Sequence, residues 1–183
     1  MTFLQVAVPS RTDVKEYQEL KSEIDQLVGH INGRFSTPAW SPIKYIFGSV
    51  NQQDLAAYYR DADVALITPL RDGMNLVAKE FVACQTDDNP GVLILSPFAG
   101  AGGLMHEALM ANPYETNIVA EALDRALSME LDERKMRMNQ LKKREKRMDV
   151  DAWVRGFMAG MSTLNPRSVP GKYIGSNAKI SFG

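Results

Sequence analysis

Residues 63–84 join a short apolar run to a helical pattern through a loop of turn-forming residues, and no other stretch restricts the fold as much. Asp63-Val64-Ala65-Leu66-Ile67-Thr68 is apolar and β-prone, as a buried parallel strand must be. Leu76-Val77-Ala78-Lys79-Glu80-Phe81-Val82-Ala83-Cys84 reads as a helix with one apolar face. Between them stand Pro69, Gly73 and two short polar residues, Asp72 and Asn75, either of which can cap the helix. A strand that hands over to a helix in this way leaves unpaired backbone N–H groups and a positive dipole end at the carboxyl edge of the sheet. Phosphate groups bind at such ends, and open α/β sheets hold their ligands along that edge. Asp72 and Glu80 add two acceptors for the hydroxyl groups of a sugar or ribose. The plainer alternative is an ordinary βα turn with a capping aspartate.

The same alternation runs through the chain. Phe3 to Val8 reads as a strand, followed by Pro9-Ser10-Arg11-Thr12 and a helical stripe of Val14, Tyr17, Leu20, Ile24, Leu27, Val28 and Ile31. Asp13 and Glu16 have the spacing of a capping box. Ile43 to Phe47 is a second strand, and Asn51 caps a helix from Gln52 to Arg60. Val92-Leu93-Ile94-Leu95 is wholly apolar and expected to be central, and residues 104–110 read as a short helix. Helices are expected over 117–129, 132–148 and 150–161, the last with Trp153 and Phe157 packing back onto the domain. Strands alternating with helices imply an α/β, Rossmann-like parallel sheet with helices on both faces. Residues from 164 on lack a helical period and read as a poorly ordered tail or linker.

Three loops should meet at the carboxyl edge: 9–13, 71–75 and 96–103. In the first, Arg11 is either a phosphate ligand or an exposed loop arginine. Gly100, Gly102 and Gly103 suggest a phosphate cradle, but neither GxGxxG nor GxxxxGK[ST] is present, which argues against hydride-transfer enzymes. His30 and His106 are too far apart in sequence for a metal site, and no metal is expected. The formal net charge of −1 gives no argument for nucleic acid or membrane. The basic cluster of 134–147 is interleaved with acids and reads as a solvated helix face. Cys84, the single cysteine, excludes an internal disulfide. With no apolar run of roughly 18 residues, the expectation is a soluble, cytoplasmic protein.

The stretch from Thr68 to Glu80, followed by Pro90-Gly91-Val92-Leu93-Ile94-Leu95-Ser96-Pro97-Phe98-Ala99-Gly100-Ala101 and Asn112-Pro113-Tyr114, resembles the trehalose-6-phosphate synthase family, from about Gln5 to about Met161. Gly100-Ala101-Gly102-Gly103-Leu104-Met105-His106-Glu107-Ala108-Leu109 looks more like the animal members than the bacterial ones. The resemblance implies a retaining, metal-independent GT-B glycosyltransferase moving glucose from UDP-glucose to glucose 6-phosphate, with no further cofactor.

It also implies roles for residues. Asp72 would be the catalytic-site acid holding glucose hydroxyls, with the amides of Gly73, Met74, Asn75 and Leu76 against the sugar and diphosphate. Glu80 would accept from the ribose, Leu55 and Val77 would lie near the uracil, and Arg11 would reach the acceptor's phosphate. Only part of a synthase is covered: residues 1–163 would be most of the C-terminal donor domain, without its first βα unit, and the N-terminal acceptor domain would be a missing partner. Donor binding without turnover is therefore expected of this chain alone, and association with further copies or in a synthase complex is compatible with it. The alternative is a non-catalytic, synthase-like regulatory or sugar-phosphate-binding subunit.

Overall fold

A computed structural model describes residues 1–10, 13–147 and 150–163. Arg11 and the expected tail lie outside the described residues, as does the side chain of Trp153. The elements run β1 (Phe3–Ala7), α1 (Lys15–Phe35), β2 (Ile43–Phe47), α2 (Gln52–Asp61), β3 (Val64–Ile67), α3 (Leu76–Cys84), β4 (Val92–Leu95), a 3-10 turn (Gly100–Gly103), β5 (Leu109–Met110), α4 (Thr116–Leu127), α5 (Leu131–Arg147) and α6 (Val150–Thr163). The described residues form two compact units, Met1–Tyr58 and those from Tyr59 on.

In the first unit β1 and β2 pair in parallel, from Phe3 opposite Ile43 to Ala7 opposite Phe47. Asn32, near the end of α1, locks the start of β2. Its Oδ1 accepts from the Ile43 amide at 3.0 Å and its Nδ2 donates to the Ile43 carbonyl at 2.9 Å. The capping box expected at Asp13 does not form: Val14 is the N-cap of α1 and no side chain caps it. At α2 the expected cap does form, with Asn51 Oδ1 accepting from the Asp54 amide at 2.9 Å.

The second unit holds a three-stranded parallel sheet in the order β3-β4-β5, with β4 central as its composition demanded. The expected parallel pairing is thus divided into a two-stranded and a three-stranded ladder. The alternation of side chains along β4 sorts the core into two halves. Leu93 and Leu95 pack with Phe81 of α3 and with Met138 and Leu141 of α5. Val92 and Ile94 pack with Ala126 of α4, and Val119, Ala122 and Leu123 lie partly buried against them. Helices therefore cover both faces, and all four residues of β4 are buried.

Three further expectations need correction. Residues 104–110 are not a helix: the single short turn sits earlier, at Gly100–Gly103, and Leu109–Met110 adds to the sheet edge beside Ile94 and Leu95. The free edge of β4 offers ladder hydrogen bonds that a seven-residue helix cannot match, since helix nucleation is costly. The basic helix α5 is not simply a solvated face. Arg134 donates to the Pro90 carbonyl and Asn89, Arg137 to the Glu107 carbonyl, Lys142 to the Gln85 carbonyl and Asp87, and Arg144 to Glu107. Finally, Phe157 on α6 is not packed into the core but exposed, together with Val154, Met158 and Met161.

Candidate functional site

β3 delivers the chain to the carboxyl edge of the three-stranded sheet, and the loop from Leu70 to Asn75 then turns it into α3. Asn75 makes that turn. It is the one residue other than glycine with positive φ among the described residues, at φ 62°, a region asparagine tolerates better than most side chains. Its Oδ1 caps the helix by accepting from the Ala78 amide at 2.9 Å. Its Nδ2 donates to Asp72 Oδ2 at 2.8 Å. Of the two possible caps it is therefore Asn75 that serves, while Asp72 is held by it. Asn75 is 7% exposed, so this small network is largely shielded from water.

The loop after β4 braces the first from beside. The Asp72 amide donates to the Phe98 carbonyl at 3.2 Å, the Gly100 amide to the Asp72 carbonyl at 3.0 Å, and the Ala101 amide to the Met74 carbonyl at 3.2 Å. At position 100 only glycine fits, because a Cβ would lie 1.8 Å from the Gly73 carbonyl oxygen. The glycines read as a phosphate cradle thus include one whose task is close approach of two backbones. Ser96, fully buried at the end of β4, steadies the second loop by accepting from the Phe98 amide at 3.1 Å.

These bonds occupy the carbonyls of Asp72 and Met74. The N–H groups of Gly73, Met74, Leu76 and Val77 have no acceptor among the described residues. The helix end is open to solvent: Gly73 and Met74 are exposed, Leu76 is 59% exposed and Val77 44%. Asp72 is half-buried, and its Oδ1 has no partner among the described residues. Glu80 follows Leu76 by one helical turn on the same exposed side, whereas Ala78, Phe81 and Val82 face the core. Its Oε2 accepts from the Tyr59 hydroxyl at 3.3 Å. Burial, with the Glu80 charge added to it, pushes the Tyr59 phenol up to about 12.

Residues 72–77 and Glu80 are thus brought to one end and one side of α3. Of the three loops expected to meet, 71–75 and 96–103 do so. Leu55 is half-buried on α2 in the unit that ends at Tyr58, and Arg11 is outside the described residues. Tyr59 is a residue of this region that the sequence does not single out. Its only signal was an aromatic ring near the end of a helix, and nothing linked it to a carboxylate in the next one.

A model of glycosyltransferase family 20 matches residues 1–163. The trehalose-6-phosphate synthase of Klebsiella pneumoniae is 45% identical over 166 residues, which are 91% of this chain and 35% of that protein. An alpha,alpha-trehalose-phosphate synthase (UDP-forming) of Dictyostelium discoideum is 47% identical over 158 residues, 86% of this chain and 21% of its own length. The structure of the Burkholderia xenovorans synthase in complex with glucose-6-phosphate superposes with TM-score 0.83 at 46% identity, covering 86% of this chain and 35% of that one. The Escherichia coli trehalose-6-phosphate synthase bound with UDP-2-fluoro glucose superposes with TM-score 0.85 at 41% identity, over 90% and 36% of the two chains. The resemblance seen in the sequence is borne out, and the α/β arrangement described above is part of the GT-B fold of these structures. The chain spans about a third of the bacterial relatives it matches, and it belongs to glycosyltransferase family 20.

Proposed function

We propose that this chain is the donor-binding part of a UDP-forming trehalose-phosphate synthase, in which glucose passes from UDP-glucose to glucose 6-phosphate. One observation carries the reading: a solvent-open helix end whose free amides, at Gly73, Met74, Leu76 and Val77, are held in place by Asn75 and by the loop at Phe98–Ala101. Fixed N–H dipoles of this kind stabilise the charge that develops on a diphosphate leaving group, and they need no reorganisation as it forms. Asp72 Oδ1 accepts from glucose hydroxyls and orients the sugar, and Glu80 accepts from the ribose. Val77 offers apolar surface to the uracil. Arg11 and Leu55 enter the reading through the family likeness alone.

No side chain is assigned as a nucleophile, so the chemistry rests on positioning and on charge stabilisation. Residues 1–163 are taken together as one donor-binding region, with the tail outside it. The acceptor site and turnover come from the part of a synthase that this chain does not span, and self-association or a synthase complex is compatible with that arrangement. A cytoplasmic setting suits the free Cys84. No helix among the described residues is long and apolar enough to cross a membrane. The non-catalytic alternative is not favoured, since the relatives are named as synthases.

The test is UDP release from UDP-glucose in the presence of glucose 6-phosphate. This chain alone should release none, and the chain joined to both a synthase acceptor domain and the first βα unit of the donor domain should turn over. Asp72→Ala in the joined form should lower kcat by on the order of a hundredfold or more, as loss of a group acting on the transition state does. Full activity in that variant would refute the role of Asp72.

A further inference from the structure

Glu80 stands on the exposed side of α3, yet it is not a free surface glutamate. The Tyr59 hydroxyl donates to its Oε2 at 3.3 Å. Tyr59 is in turn fixed twice. Its ring packs against the buried cluster of Phe81, Leu93 and Leu95. Its carbonyl accepts from the Gln85 side chain, whose Oε1 accepts from the Gly91 amide at 2.5 Å. Gln85 is itself 5% exposed, so the phenol is mounted on the core rather than on a mobile side chain.

We propose that Tyr59 is a positioning residue that makes this site select a ribonucleotide, by holding Glu80 in the one orientation that leaves Oε1 for the sugar hydroxyls. The inference rests on the reading of Glu80 as the ribose acceptor. An unrestrained glutamate visits many rotamers, and ordering it on binding weakens the complex. A fixed donor on one oxygen orders it beforehand and leaves several of the carboxylate's lone pairs free. The phenol stays protonated well beyond neutral pH, so it acts only as a donor to the carboxylate. A ligand without ribose hydroxyls gains nothing from this arrangement, and one with them gains one well-placed acceptor. Discrimination follows from that difference.

The test is a nucleotide titration of the full, isotope-labelled chain with UDP and with 2′,3′-dideoxy-UDP. Wild type should bind UDP more tightly than the dideoxy form. Tyr59→Phe should weaken UDP by about 2- to 10-fold, the worth of one hydrogen bond, and leave the dideoxy affinity unchanged. Glu80→Ala should abolish the preference, and adding Tyr59→Phe to it should change nothing more. Equal weakening of both nucleotides by Tyr59→Phe, no weakening, or the same effect without Glu80 would each overturn the inference. If Glu80→Ala leaves the preference intact, the ribose role of Glu80 fails. If Glu80→Ala abolishes it while Tyr59→Phe is silent, only the role of Tyr59 fails. Tyr59→Met, which also removes the phenol, replaces the phenylalanine variant should that lose its dispersed amide spectrum.

Discussion

Two hydrogen bonds of opposite direction meet on the side chain of Asn75, one to the Ala78 amide and one to Asp72. Asn75→Ala removes both and places a poorer residue at positive φ. It should destabilise the chain by about 2 kcal/mol, the upper end for a helix cap, as read by urea unfolding. Asn75→Gly restores the backbone freedom but not the bonds, so it should cost less while freeing Asp72 just as much. A nucleotide response weakened alike in both variants would separate the loop's function from its stability. Gly100→Ala should displace residues 73 and 74, since the new Cβ meets the Gly73 carbonyl, and should blunt the response of those amides to UDP. Tyr59 gives a pH signature. Its phenol rises from 10.0 to about 12 in the folded chain, so its contribution to stability is full below pH 10 and is lost as pH rises through about 12. A tyrosinate absorbance titration should show a late phase that Tyr59→Phe lacks. In the sequence, Asn75 was legible as a cap and Asp72 as an acceptor. The left-handed turn that links them was not, because it is fixed by contacts with residues 98–101 across a sheet edge.

Among the elements, α5 ties down both walls of the candidate site. Lys79 of α3 pairs with Glu145 at 2.7 Å, and Lys142 reaches the carbonyl of Gln85 just beyond that helix. Arg144 pairs with Glu107 at 2.6 Å, and Arg137 holds the Glu107 carbonyl, in the segment that follows the turn at Gly100–Gly103. The hydrogen bond from Arg144 lowers the Glu107 carboxyl below its ordinary value. A depressed carboxylate contributes stability above its unfolded pKa and loses it as pH falls through the folded one. Glu107→Gln should therefore flatten the acid limb of the unfolding profile and speed amide exchange over residues 104–108. An unchanged acid limb would show that the pair is mere surface decoration. The helix itself was legible from its composition, but its cations looked solvated. Which carbonyls they meet depends on loops that α5 reaches only in three dimensions. For the same reason β5 was missed, since two residues carry no period and are a strand only because β4 lies beside them.

At the scale of the whole molecule, parallel pairing and helices on both faces followed from alternating apolar runs and amphipathic stretches. The division into two units did not. Short buried strands announce themselves by composition, whereas the point at which one ladder stops and another begins depends on pairing partners that composition does not name. The account as a whole depends on the open end of α3 receiving the diphosphate of a nucleotide sugar. Its most direct test is an amide chemical-shift titration of this chain with UDP-glucose. The account predicts saturable shifts concentrated at residues 72–80 and at the bracing segment 98–101. Saturable shifts confined to other parts of the chain, with 72–80 unmoved, would contradict it.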